Sequence, residues 1–159
     1  MAKYKLAIVS MQSDKNQLWK DLQEQYVIYL SKWADVEQRE LLPGNIYQRE
    51  QAEEIWKAEL PLWQKILDKK KDDDYLVALD LDGKMYDTEA FANFIQSDSR
   101  RHWKFLIGGP YGLPPSVRAA CDFRLALSPL TFNHQLAKLI LLEQLYRALE
   151  AEHANKYNK

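Results

Sequence analysis

The chain predicts an α/β fold, a mainly parallel sheet flanked by helices, and three observations carry that expectation. Apolar runs of strand length alternate with stretches of helical spacing in the order β-α-β-α-β-α-β-α-β-α, the pattern of a sheet built by crossovers with helices on both faces. Tyr75–Leu81 (YLVALDL) is almost continuously apolar, as a strand covered on both faces must be. Phe105–Arg147 then reads strand, glycine turn, short helix, strand, polar turn and long apolar helix. In an open α/β sheet ligands bind outside the carboxyl ends of the strands, so the two turns in this last stretch mark where a ligand would sit.

Taken in order, Tyr4–Val9 is a β-rich run. Gln17–Ala34 carries Leu18, Leu22, Tyr26, Tyr29, Leu30 and Trp33 at spacings of an amphipathic helix. Val36–Leu42 alternates as a strand and stops at Pro43-Gly44. Tyr47–Asp68 is mostly helical, with Pro61 forcing a kink or a new start. Lys69–Asp74 is a charged connection before the Tyr75–Leu81 strand, and Asp82-Gly83 is a turn signal. Asp87 caps a helix through Phe91, Phe94 and Ile95. Trp103–Ile107 and Phe123–Leu127 are the remaining strands, and Thr131 or Asn133 opens a final helix to about Glu152. Ten of the fourteen residues in Leu136–Leu149 are apolar, more than one buried stripe requires. Such a helix either lies centrally in a monomer or meets a second copy of the chain, and the homodimer is the favoured expectation.

At 159 residues and 47% hydrophobic content the chain is expected to form one domain spanning 1–159 with a substantial core. No run of apolar residues is long enough to span a bilayer, and MAKYKLAIVSMQ reads as a first strand rather than an export signal. One cysteine, Cys121, fits a reducing, cytoplasmic setting. The net charge of −1 conceals an asymmetry: residues 1–99 sum to −6 and residues 100–159 to +5. That points to an anionic partner on the basic half, unless the two halves interleave in the fold.

Several chemistries are excluded by what is missing. Gly108-Gly109-Pro110-Tyr111-Gly112 is neither a dinucleotide fingerprint nor a P-loop. No GxSxG elbow occurs, Cys121 has no CxxC partner, and three scattered histidines have no metal-ligand spacing. What remains is a glycine turn that either is merely tight or lets backbone approach a ligand. Leu127-Ser128-Pro129-Leu130-Thr131 either caps the last helix or holds a polar ligand edge. His134 sits in that helix's first turn. Arg147 either pairs with Glu143 four residues before it or meets an anion. The tail Lys156-Tyr157-Asn158-Lys159 either frays or stacks its aromatic ring on a base beside a phosphate.

FLIGGPYGL followed by LALSPLTFNHQLAKLILLEQLYRA resembles the ribosomal RNA large-subunit methyltransferase H family, a member of the SPOUT class. The resemblance extends to YKLAIVS and VALDLDGKMYDTEAFANFI and is weakest over residues 43–74. It implies a C-terminal trefoil knot, a homodimer and S-adenosylmethionine as cofactor. It places cofactor contacts on Leu79, Gly108, Leu127, Ser128, Pro129, Leu130, Thr131 and Phe132. The activity it implies is methylation of N3 of a pseudouridine in large-subunit ribosomal RNA, on the RNA or the assembled ribosome. Methyl transfer from a sulfonium depends mainly on positioning, and the base must lose a proton and be held as an anion. Arg147, Tyr157 and His134 are the catalytic candidates, with His134 the one expected to support structure. Asn158 and Lys159 are the expected substrate contacts.

The chain departs from the family pattern in places. Asn158 stands where a histidine is usual, Asn133 and Lys138 replace a proline and an arginine around His134, and Leu60-Pro61-Leu62-Trp63 replaces a glycine-containing segment. Asparagine can hydrogen-bond a base edge but cannot act as a general base. The departure at 158 frames the alternative expectation, a non-catalytic ribosome- or RNA-binding homologue that keeps the fold.

Overall fold

The computed structural model describes residues 3–11, 16–44 and 51–157. Strand β1 (Tyr4–Met11) leads into α1 (Gln17–Leu30), then β2 (Ala34–Leu41) and α2 (Ala52–Asp68). Strand β3 (Asp74–Met85) and α3 (Thr88–Gln96) follow, then β4 (His102–Ile107), α4 (Pro115–Ala120), β5 (Phe123–Ala126) and α5 (His134–Tyr157). The strands form one sheet in the order β2-β1-β4-β3-β5, and every neighbouring pair is parallel.

Two apolar layers sandwich this sheet. One side joins Leu30 of α1, Phe91 and Ile95 of α3, and Leu141, Leu142, Leu145 and Leu149 of α5 to Leu6, Ile8, Trp103 and Phe105. The other packs Trp63 and Ile66 of α2 and Val117 of α4 on Val9, Met11 and Leu106. Complete burial of a side chain such as Phe105 or Leu106 is worth about 2–3 kcal/mol. The apolar excess of α5 is thus accounted for largely within one chain, because the helix lies against both α1 and α3 over the middle of the sheet. Polar ties fix its position: Gln96 Nε2 donates to Ala148 O at 2.8 Å, and the Tyr4 hydroxyl donates to Glu152 Oε2 at 2.8 Å.

Four local expectations are corrected. Helix α1 ends at Leu30 rather than Ala34, where the Ser31 hydroxyl bonds back to Ile28 O and offers the chain an alternative to another turn. Its apolar stripe is split: Leu30 is buried, while Leu18, Leu22 and Tyr29 are exposed. Pro61 does not end α2, because its ring faces solvent and Ile55, Glu59, Trp63 and Ile66 hold both halves against the core. Asp82-Gly83 does not end β3. The strand bulges between Leu79 and Lys84, and pairing resumes with Lys84 on Leu125 and Met85 on Ala126. A Cβ at Gly83 would lie 2.7 Å from the Arg124 backbone, so only glycine lets the bulge lie this close to β5.

The charge asymmetry is spent inside the fold. Strand β4, from the basic half, lies between β1 and β3 of the acidic half. Lys104 pairs with Asp74 at 3.0 Å, and Arg118 and Arg124 meet Asp80 at 3.5 and 3.8 Å. The halves interleave, and much of their opposite charge is matched internally.

Candidate active site

At one edge of the sheet the bulge of β3 and the loops that follow β4 and β5 enclose a cleft of about 760 Å³. That is ample for a nucleoside-sized ligand. Leu79, Asp80, Leu81 and Asp82 come from β3, Ile107 to Leu113 from the glycine turn after β4, and Leu125 to Ser128 and Leu130 to His134 from β5 and its loop. Trp56 of α2, Arg118 of α4 and Ala137 of α5 complete the wall.

The glycine turn is held by its own backbone. Gly112 N–H donates to Gly109 O at 2.9 Å, the two residues form an isolated bridge, and Gly112 adopts φ +76°. A side chain at 112 would be strained by that conformation. Gly108 is required for a different reason: a Cβ there would overlap the backbone of Gly112 and Leu113, on which the turn folds back. The indole N–H of Trp56 clamps the turn from outside, 3.3 Å from both Tyr111 O and Gly112 O.

The loop after β5 is also built by short-range bonds. The Ser128 hydroxyl accepts from Leu130 N–H at 3.0 Å, bending the chain. Asn133, rather than Thr131, caps α5: its Oδ1 accepts from Leu136 N–H at 2.8 Å. His134 follows in the first turn and lines the cleft. One turn on, Lys138 is buried, and desolvation lowers its pKa against the opposing pull of Glu40.

Of the residues the sequence singled out, Leu79, Gly108, Leu127, Ser128, Leu130, Thr131, Phe132 and His134 meet at this cleft. Pro129 sits in the same loop but is exposed and not part of the wall. Arg147 is elsewhere: it lies thirteen residues beyond His134 on α5, about 20 Å along the axis. There its Nε donates to Glu143 Oε1 at 2.6 Å. Tyr157 ends the helix with its side chain outside the described residues, as are Asn158 and Lys159.

Sequence reading missed Asp80, Arg118 and Trp56. An acidic residue ending the apolar run YLVALD was the available signal for Asp80; nothing local distinguishes Arg118 or Trp56. Cys121 lies outside the cleft, and burial, helped by Asp122, pushes its thiol up to about 12. Among the described residues no group of three metal-ligating side chains converges, and no helix is long and apolar enough to cross a membrane.

Residues 4–158 match the family described as "Predicted SPOUT methyltransferase". The chain is 39% identical over 135 residues to the Ribosomal RNA large subunit methyltransferase H of Thermodesulfovibrio yellowstonii, covering 85% of each chain. It is 32% identical over 157 residues to the protein of that name in Clostridium acetobutylicum, covering 97% of this chain and 99% of that one. A solved structure described as a probable methylase family protein from Haemophilus influenzae Rd KW20 superposes with a TM-score of 0.56. It covers 97% of this chain and 70% of that one at 11% identity, a likeness of fold.

Proposed function

The chain belongs to the SPOUT methyltransferase family, and from that premise we propose that it transfers methyl from S-adenosylmethionine to N3 of a pseudouridine in large-subunit ribosomal RNA. The names of its full-length relatives support this substrate class. The observation that carries the reading is the convergence of the β3 bulge and the loops after β4 and β5 on one cleft with a glycine backbone for one wall.

The residues present fit an adenosyl group. Leu79, Ile107, Leu125, Leu127 and Phe132 supply apolar surface for a purine, and the loops supply backbone donors and acceptors for its edges. Gly108 keeps that wall free of side chain. Leu79, Gly108, Leu127, Ser128, Leu130, Thr131 and Phe132 are therefore assigned to the cofactor, which would supply an activated methyl on a sulfonium when bound.

The chain's own contribution is to orient the base and to hold the charge left when N3 loses its proton. Arg147 is the group for that anion and Tyr157 for the base, with Asn158 and Lys159 toward the RNA and His134 supporting the loop. Within one chain Arg147 lies too far along α5 to reach the cleft, so the reading calls for a homodimer in which a second copy brings these groups to it. The exposed Leu18, Leu22 and Tyr29 stripe beside α5 suits such a contact. The same reading takes residues 1–159 as one domain with a knotted C-terminal segment, working on ribosomes in the cytoplasm.

The test uses purified protein, labelled S-adenosylmethionine and ribosomes from cells lacking the protein. Label on one pseudouridine, located by mass spectrometry, is the expected result. No transfer while the cofactor is demonstrably bound would overturn the activity.

A further inference from the structure

Two polar atoms around the cleft are orphaned, and they have opposite polarity. The Asp80 side chain is only 4% exposed. Its Oδ1 accepts from Asp82 N–H at 3.0 Å and lies 3.5 Å from Arg118 Nη1. Its Oδ2 stands 3.8 Å from Arg124 Nη1 and accepts no hydrogen bond. The Arg118 Nε is likewise buried and donates to nothing. Both residues line the cleft.

Leaving a buried charged group short of a hydrogen bond is costly, and native proteins keep few such atoms without a reason. The ion pair itself is loose. At 3.5 Å it is well beyond the roughly 2.7–2.9 Å of a strong charge-assisted bond. An acceptor seeking a donor therefore sits beside a donor seeking an acceptor.

We propose that Asp80 and Arg118 form a clamp for the α-amino-acid end of S-adenosylmethionine, Asp80 taking the ammonium and Arg118 the carboxylate. This rests on the reading that the cleft takes that cofactor. A zwitterion carries its two charges on one carbon, so it meets a carboxylate and a guanidinium lying side by side, each with its opposite. A ribose diol would offer neutral groups only. The carboxylate torsion is soft, so Oδ2 turns toward an incoming ammonium without moving β3. Arg118 stands on α4, immediately after the glycine turn, so the clamp sits next to the wall formed by Gly108.

Calorimetric titration separates the possibilities. The probes are S-adenosylhomocysteine, its decarboxylated analogue, and 5′-methylthioadenosine, which keeps the ribose and base but has no amino acid. In the unmodified protein both truncated compounds should bind about tenfold or more weakly than S-adenosylhomocysteine. Asp80→Asn and Arg118→Met should each weaken S-adenosylhomocysteine about tenfold and leave methylthioadenosine within about twofold. Equal loss for both ligands in folded variants would assign the pair to the ribose or the loop and overturn the clamp. Equal binding of all three compounds to the unmodified protein would overturn it without any variant. If the unmodified protein binds S-adenosylhomocysteine and only the variants' selectivity fails, the cofactor reading survives. If it binds none of the three, both fall.

Discussion

Asp74 and Asp80 stand six residues apart on β3, and they illustrate two ways of burying a carboxylate. Asp74, at the amino end of the strand, has close countercharges from its own chain. Lys71 N–H donates to its Oδ2 at 2.8 Å, Lys104 Nζ lies at 3.0 Å, and His102 Nδ1 is 3.2 Å from Oδ1. Burial alone would raise its pKa, but the Lys71 amide and the Lys104 charge outweigh burial and hold it below the usual carboxylate range. Asp80, beside the bulge of the same strand, has only two arginines, at 3.5 and 3.8 Å. Each carboxylate keeps one oxygen without a hydrogen bond, Oδ1 of Asp74 and Oδ2 of Asp80, so the difference lies in how close the countercharges stand. Asp74 is matched by close cations from its own chain, whereas the looser pairing of Asp80 lies beside the cleft, where the proposed clamp would use it. The bulge decides which is which, since it carries Asp80 to the cleft while Asp74 stays at the amino end of the strand.

The comparison breaks most sharply at the glycine turn. Gly108→Ala pushes a methyl into the Gly112 backbone, a strain of about 3 kcal/mol or more. Affinity for S-adenosylhomocysteine should fall about 100-fold in calorimetry, and an unchanged affinity would show that the cofactor does not use this wall. At the other edge, Asp74→Asn removes the countercharge of half-buried Lys104 and should cost about 2–3 kcal/mol in urea unfolding. Cofactor affinity should stay within about twofold, because distant sites act independently.

The same pair has a pH signature. A carboxylate whose folded pKa is depressed contributes stability above its unfolded value of about 3.9 and loses that contribution as pH falls through the folded value. The stability gap between the wild type and Asp74→Asn should therefore shrink on acidification below about pH 4, and a gap that widens would be inconsistent with the Lys71 and Lys104 contacts. Trp56→Phe loses only the clamp on Tyr111 O and Gly112 O, worth about 1 kcal/mol, and should weaken S-adenosylhomocysteine about fivefold. The smallest effect belongs to Cys121. With its thiol pushed up to about 12, it should resist iodoacetamide at pH 8 by intact mass, whereas a reactive thiol would alkylate.

Much of this molecule was legible because its signals are local. The alternation of elements, the Asp87 cap on Ala90 N–H, the glycine turn after β4 and the Ser128 loop after β5 all depend on residues a few positions apart. Most of the residues expected at a ligand followed from those loops and from the family motifs and line the one cleft. Leu18 and Leu22 were misjudged because helical spacing shows which residues share a face, not what covers it. Pro61 starts no new helix because tertiary packing on both sides outweighs one missing amide.

The amino-acid sequence by itself determined the order of strands and helices, the parallel sense of the sheet and the loops that form the cleft, since short-range sterics, capping and apolar periodicity act along the chain. Only the tertiary structure decided which charges meet. Asp80 is 38 residues from Arg118 in sequence, and nothing local joins them. They come together because the β3–β5 pairing and the placement of α4 bring distant segments to one edge of the sheet, where burial makes their unfilled hydrogen bonds count.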